Sequence, residues 1–386
     1  MLKQGFLSPY NHLDQKHKLG GILLAQIELL NLSKTMSLSH DRIAQISPSI
    51  HMIDGIRLFD RELRESWPQE TATRYVSPSG DAKPEGASPG ERDEDRQERD
   101  ALLAKADIVC IGFPYPLDLA ARGSRLKWVH QTAAGASNLV FGDLHNNRSV
   151  IITTSRGYNK PLPIAEYVIA AVFAFAKQIP QAVVDRQAQY LNRRNYKLAS
   201  VHGKTMGIVG LGGIGQEVAR LAKAVGMKVL ATRRSAANRT DSVDGVDTLY
   251  PPQDLEFMLA QSDYVAVCAQ YTPETKGIIG KTQLQVMKAT AYLINIARGE
   301  LIDEDALLEA LREGWIAGAM LDVYADEFQK PPRQDLREQP NLLMTPHVSG
   351  GTDVATDELA ELFYENLARF VDGRELINVI DWDRGY

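Results

Sequence analysis

The stretch Met206–Ser235, MGIVGLGGIGQEVARLAKAVGMKVLATRRS, decides the fold. It reads as a buried strand (Met206–Gly210), a glycine turn, a helix over about Ile214–Ala224 and a return strand (Lys228–Thr232). Gly210, Gly212 and Gly215 satisfy G-x-G-x-x-G after an apolar run and at a helix start, the context that gives the pattern meaning. Gly210 permits the tight turn out of the strand. A side chain at Gly212 blocks close approach of a pyrophosphate, and one at Gly215 pushes the helix off the sheet. The free N–H groups from Gly212 through Gly213 and Ile214 to Gly215, with the positive end of the helix dipole, attract phosphates. The stretch is therefore expected to bind a dinucleotide.

At 386 residues the chain is long for one core, and two domains are expected. A net charge of −6 carries no basic excess for nucleic acid. The two cysteines, Cys110 and Cys268, sit far apart in apolar runs, with neither metal spacing nor a disulfide framework. No metal site is expected, and a reducing cytoplasm fits. The apolar segment Gly20–Leu30 is too short for a membrane span and is interrupted by Gln26 and Glu28. It reads as a first core strand over Ile22–Glu28, with neither a membrane nor a secretory role.

Further along, Ser39 offers an N-cap to a helix that precedes a strand ending at Ile53. Residues 77–100, rich in Ser, Gly, Pro and charge, cannot bury enough surface to offset their ordering entropy. A mobile insertion is expected there, entering a helix near Arg96–Lys105. Ala106–Gly112, Leu126–Gln131 and Val150–Thr154 read as strands of a small parallel sheet. The small-residue turn Thr132–Ser137, holding Ala134, Gly135 and Ala136, is either an ordinary tight loop or a nest of N–H groups for a carboxylate. Pro163–Ile179 reads as a buried helix between domains, and Arg186–Lys197 as a polar, aromatic link. Beyond Arg234, strands at Asp263–Cys268, Thr290–Ile296, Ile316–Val323 and Asn341–Met344 alternate with helices, one of them capped by Asp303. This pattern indicates a doubly wound sheet.

Three charged residues stand just past strand ends, where open α/β sheets place their ligands: Arg298, Glu327 and His347. Hydride transfer to a carbonyl carbon requires a proton for its oxygen, and histidine suits that task near neutrality. A carboxylate orients the ring, and an arginine clamps a substrate carboxylate through two parallel hydrogen bonds.

The chain resembles the D-isomer-specific 2-hydroxyacid dehydrogenases, which include glyoxylate/hydroxypyruvate reductases and phosphoglycerate dehydrogenases. The likeness runs from about Ala106 to Tyr386. It rests on GLGGIG, YTPETKGIIG (Tyr271–Gly280), NIARGELIDEDAL (Asn295–Leu307), GAMLDVYADE (Gly318–Glu327) and TPHVSG (Thr345–Gly350). The resemblance implies a catalytic set of Arg298, Glu327 and His347, and Asp322 at the nicotinamide carboxamide. It also implies substrate carboxylate binding by Ala134, Gly135 and Ala136 together with Arg298, and cofactor contacts at Thr272 and Ala297. The implied architecture is α/β with two Rossmann-like domains. A doubly wound parallel-sheet cofactor domain (161–348) is inserted in a discontinuous flavodoxin-like substrate domain (1–160 and 349–386). A homodimer is implied as well. The sequence departs from the family pattern at Phe328 where proline is frequent after the glutamate, at Ala269-Gln270-Tyr271, and at Tyr167 in place of a histidine.

An acid about 20 residues past the glycines would hold the ribose 2′-hydroxyl of NAD. Here Thr232-Arg233-Arg234-Ser235 ends the second strand, and two guanidinium groups with a hydroxyl suit a 2′-phosphate. NADP is favoured over NAD. The expected reaction interconverts a small 2-oxo acid and a D-2-hydroxy acid. The alternatives are a non-catalytic NAD(H)-sensing corepressor-like protein and a formate- or phosphonate-type dehydrogenase on the same frame.

Overall fold

The computed structural model describes residues 26–65, 67, 93–158, 161–353 and 357–382. Two sheets organise them. The first joins β1 (Ile27–Asn31), β2 (Ile50–Asp54), β3 (Ile108–Ile111), β4 (Trp128–Gln131) and β5 (Ile151–Thr154) in the order β2-β1-β3-β4-β5. Every pairing in it is parallel, and the order is the flavodoxin-like 2-1-3-4-5. β3 and β4 are buried at every position, as strands covered on both faces must be.

The second sheet joins β6 (Thr205–Val209), β7 (Lys228–Thr232), β8 (Thr240–Val243), β9 (Val246–Tyr250), β10 (Tyr264–Val267), β11 (Tyr292–Asn295), β12 (Gly318–Leu321) and β13 (Leu342–Met344). Its order, β13-β12-β11-β10-β6-β7-β9-β8, contains the Rossmann 3-2-1-4-5-6 run with one strand added at each edge. β8 pairs antiparallel with β9, so this sheet is mixed rather than wholly parallel. In both sheets the strand order reverses beside the first strand, and the crevice at that point opens at the carboxyl ends.

The glycine turn folds as its sequence requires. Gly210 has φ +99°, and a Cβ there would lie 2.7 Å from the Ala269 Cα; one at Gly215 would lie 2.4 Å from the Gly210 carbonyl oxygen. A Cβ at Gly212 would meet open space. The Gly213–Ala224 helix follows directly. Ser39 caps His40–Ile46 by accepting from the Arg42 N–H, and Asp303 caps Glu304–Arg312 by accepting from Asp305 and Ala306.

Three expectations are corrected. The expected strand ran over Ile22–Glu28, of which residues 22–25 lie outside the described residues; the first described strand is Ile27–Asn31, with Gln26 outside it. The helix expected over Pro163–Ile179 runs instead over Pro161–Ala176, and a second helix that was not expected, Ile179–Gln187, follows at an angle of 61°. The break falls where Gln178 takes φ 51° and Pro180 starts the second helix. The polar helix begins at Asp93 rather than Arg96, and most of the expected insertion lies outside the described residues.

The C-terminal helix Glu358–Val371 returns to the first sheet. Phe363 and Phe370 stack on Trp128 at 5.3 and 5.6 Å. Phe328, which follows Glu327 on the other side of the cleft, packs into the first sheet's core against Phe113 and Phe141. No single helix among the described residues is long and apolar enough to cross a membrane.

Candidate active site

Each candidate side chain sits on a short segment after a strand, held by main-chain contacts rather than by its own flexibility. After β13, the turn Thr345-Pro346-His347 places His347 at φ 54°, a region uncommon for residues other than glycine. Asp322, fully buried after β12, holds that turn. One carboxylate oxygen accepts from the Thr345 hydroxyl (2.7 Å) and the Val348 N–H (2.9 Å), and the other accepts from the Ser349 N–H (2.9 Å). The His347 N–H also donates to the Asp322 carbonyl at 2.8 Å. A strained backbone persists only where its surroundings over-determine it, and here they do.

His347 Nδ1 lies 2.9 Å from Glu327 Oε1, whose residue is 3% exposed. A carboxylate on Nδ1 fixes the ring's orientation and assigns proton exchange with a substrate to the other nitrogen, Nε2. The segment before Glu327 is wedged against the arginine loop: a Cβ on Gly299 would come within 1.9 Å of the Tyr324 carbonyl carbon. Arg298 is held by its Nη1 donating to the Ala297 carbonyl (2.6 Å), while the Asn295 side chain donates to the Arg298 carbonyl. Its guanidinium reaches the small-residue loop of the first sheet, since a Cβ on Gly135 would fall 1.9 Å from Nη2. Arg298 and the Ala134–Ala136 loop thus meet, and Glu327 and His347 form a pair. A pocket of about 200 Å³ lies beside that pair, between Tyr324, Pro332, Arg337 and Met344.

The proposed cofactor residues also gather at one end of their sheet. The Thr232 carbonyl accepts from Leu211, and its hydroxyl accepts from the Gly210 N–H, tying the glycine turn to β7. Glu274 has its carboxyl held below its ordinary value, first by a hydrogen bond with Thr272 and also by the charge of Arg234. Ala297 donates its N–H to the Asn295 side chain at 3.0 Å. The open space at Gly212, the 12-residue helix that starts beside it and these arginines fit a dinucleotide with its phosphates at the turn.

Several participants escaped the sequence reading. Arg233 forms an ion pair with Asp244 (2.7 Å), in the β8–β9 turn. The Asp-Gly dipeptide Asp244–Gly245 between alternating residues was the available signal for that hairpin. Arg156, after β5, has its guanidinium shifted down by burial and by the nearby charge of Arg234. Tyr167, noted only as a departure, hydrogen-bonds with Thr345; burial first, then the Asp322 charge, pushes its hydroxyl upward. No local pattern announces these pairings.

Comparison with known proteins accords with this geometry. Residues 169–349 match the family described as D-isomer specific 2-hydroxyacid dehydrogenase, NAD binding domain. A glyoxylate reductase of Korarchaeum cryptofilum is 34% identical over 277 residues, which is 69% of this chain and 80% of that protein. A D-3-phosphoglycerate dehydrogenase of Methanocaldococcus jannaschii is 30% identical over 289 residues, 73% of this chain but only 54% of its own length. Among solved structures, a D-isomer specific 2-hydroxyacid dehydrogenase family protein from Aeromonas salmonicida superposes with a TM-score of 0.68 at 28% identity. That superposition covers 93% of this chain and all of that one.

Proposed function

Because the chain belongs to the D-isomer-specific 2-hydroxyacid dehydrogenase family, and so is an NAD(P)-dependent oxidoreductase of CH–OH donors, we propose that it reduces a small 2-oxo acid of the glyoxylate/hydroxypyruvate type with NADPH. The observation that carries the proposal is the buried Glu327 on His347 Nδ1 at 2.9 Å, together with an arginine seated on the Gly135 loop. The nicotinamide, when bound, supplies the hydride. Arg298 and the N–H groups of Ala134–Ala136 hold the substrate carboxylate and orient its carbonyl. His347 gives its Nε2 proton to the carbonyl oxygen, and Glu327 stabilises the imidazolium that precedes this transfer. Asp322, which the resemblance assigns to the nicotinamide carboxamide, has in this reading the further task of fixing the turn that carries His347. Substrate binding falls to 1–160 with 349–386 and cofactor binding to 161–348, a division supported by the two sheets and by the return of Glu358–Val371 to the first.

NADPH is favoured because Arg233 and Arg234 stand where NAD enzymes need an acid, although Asp244 shares Arg233. The aromatic loop Phe113-Pro114-Tyr115 packs through Phe113 on Phe328, the residue after Glu327. A homodimer in the cytoplasm completes the reading. The dimer is supported by exposed apolar side chains at Phe173, Ile179, Val183, Val184, Tyr190 and Leu191, and the compartment by free cysteines.

The test is a panel of 2-oxo acids, including 3-phosphohydroxypyruvate, assayed in parallel with NADPH and NADH. Glyoxylate or hydroxypyruvate with NADPH should give the highest kcat/KM. His347→Ala should lower kcat by about 10²–10⁴-fold, the usual worth of a general acid. A near-normal rate in that variant removes His347 from the chemistry, and absence of turnover on the whole panel favours a sensing role.

A further inference from the structure

Beneath the Ala134–Ala136 loop lie two amide side chains that the chemistry above does not use. Gln131, the last residue of β4, is 0% exposed, and Asn138 is 3% exposed. They face each other as a reciprocal pair: Gln131 Nε2 donates to Asn138 Oδ1 at 3.1 Å, and Asn138 Nδ2 donates to Gln131 Oε1 at 3.1 Å. Gln131 Nε2 also donates to the Gly135 carbonyl at 2.6 Å. The pair is anchored beyond the loop, because the Tyr115 hydroxyl donates to the Asn138 carbonyl at 2.8 Å and the Trp67 indole donates to the Tyr115 carbonyl at 2.8 Å. From the other side, Ser155 donates its N–H to the Ala133 carbonyl at 3.2 Å.

A buried amide pair is expensive to place unless every group is matched, and a matched one specifies a single geometry. The shortest of these bonds does not serve a strand or helix. It pulls one carbonyl, that of Gly135, inward. Drawing that carbonyl into the core fixes the Gly135–Ala136 peptide plane and so the direction of the Ala136 N–H, next to the glycine on which Arg298 is seated.

We propose that Gln131, backed by Asn138, is a positioning residue for substrate binding, setting the loop so that its N–H groups and Arg298 converge on one carboxylate. The inference rests on the reading that this loop binds the substrate carboxylate. The interaction holds the carboxylate equally before and during hydride transfer, so its loss appears in KM rather than kcat.

Two near-isosteric variants separate the cases. Gln131→Met removes all three hydrogen bonds, and Gln131→Glu keeps the shape but turns the donor on Gly135 into an acceptor. Both should raise KM for glyoxylate about ten-fold, the scale of one hydrogen bond to a charged group. They should leave kcat within about three-fold, by the same uniform-binding argument, and the Kd for NADPH, read by its fluorescence, unchanged. Oxamate inhibition should weaken in parallel with KM. A lowered Tm with KM and oxamate affinity untouched would overturn the proposal and leave the pair a purely structural one. Gly135→Ala provides the reference: if it too leaves KM and oxamate binding unchanged, the carboxylate-loop reading itself fails. If it raises them while the Gln131 variants do not, only the positioning role fails.

Discussion

At the scale of single residues, the site works by committing polar groups to backbone. Asp322 spends its carboxylate on three donors of the 345–349 segment, and His347 stays at φ 54° as a result. Gly135 illustrates the opposite device, absence of a side chain where a guanidinium must come close. Gly135→Ala sets a Cβ 1.9 Å from Arg298 Nη2, so loop or arginine must move by more than an ångström. A displacement of that size should cost kcat/KM about 10²-fold, measured with the best 2-oxo acid of the panel, while Tm changes little. Unaltered kinetics would overturn the reading that this loop and Arg298 bind the substrate carboxylate. The catalytic candidates were legible one by one because each follows an apolar run ending in a recognisable motif. Gln131, Asn138, Tyr167 and Asp244 were not, because their partners lie elsewhere in the chain or, for Gln131 and Asn138, across a turn whose conformation the residue types leave open.

At the scale of elements, patterns with a physical mechanism translated well. Asp303 caps the helix it was expected to cap, and Lys228–Thr232 forms the strand expected of it. The parallel-sheet expectation missed β8, since the loop after Arg234 was read without weighing its Asp-Gly turn. The helix expected over Pro163–Ile179 ends at Ala176, and Gln178 at φ 51° separates it from Ile179–Gln187, which carries Pro180 in its first turn. That second helix leaves Ile179, Val183 and Val184 more than 40% exposed, with Tyr190 and Leu191 beyond it. In the proposed dimer this run serves as the interaction face. Light scattering should give twice the 42.8 kDa chain mass, and Val184→Glu should shift the protein toward the single-chain value. A monomeric wild type would refute the assignment of this face.

At the scale of the molecule, the first sheet is built round a polar group that must stay neutral. His130 is fully buried, with Nδ1 at 2.9 Å from the Thr153 hydroxyl and Nε2 at 3.2 Å from that of Ser155. Burial lowers its pKa from 6.5 to about 3. Between those values the unfolded chain binds a proton that the folded chain does not, so stability present above pH 6.5 is lost as the pH falls toward 3. From pH 7 to pH 5 this residue alone should remove about 2 kcal/mol from the unfolding free energy. Urea denaturation of wild type and His130→Gln at both pH values isolates the effect, because the titrating carboxylates are common to both. An equal loss in the two proteins would mean that His130 is protonated in the folded state or exposed by local opening.

The sequence by itself determined the alternation of strands and helices, the glycine turn and the family, and it singled out Arg298, Glu327 and His347 as candidates. Each depends on residue types at fixed local spacing, which a linear reading can see. Tertiary structure gave the expected meetings of Glu327 with His347 and of Arg298 with Gly135 their geometry, and alone decided that Asp244 shares Arg233 and that Gln131 turns the Gly135 carbonyl inward. Three of these contacts join residues at least 11 positions apart, and the fourth depends on the conformation of a loop. Their geometry follows from how two sheets and their connecting segments pack, a property that no local spacing encodes.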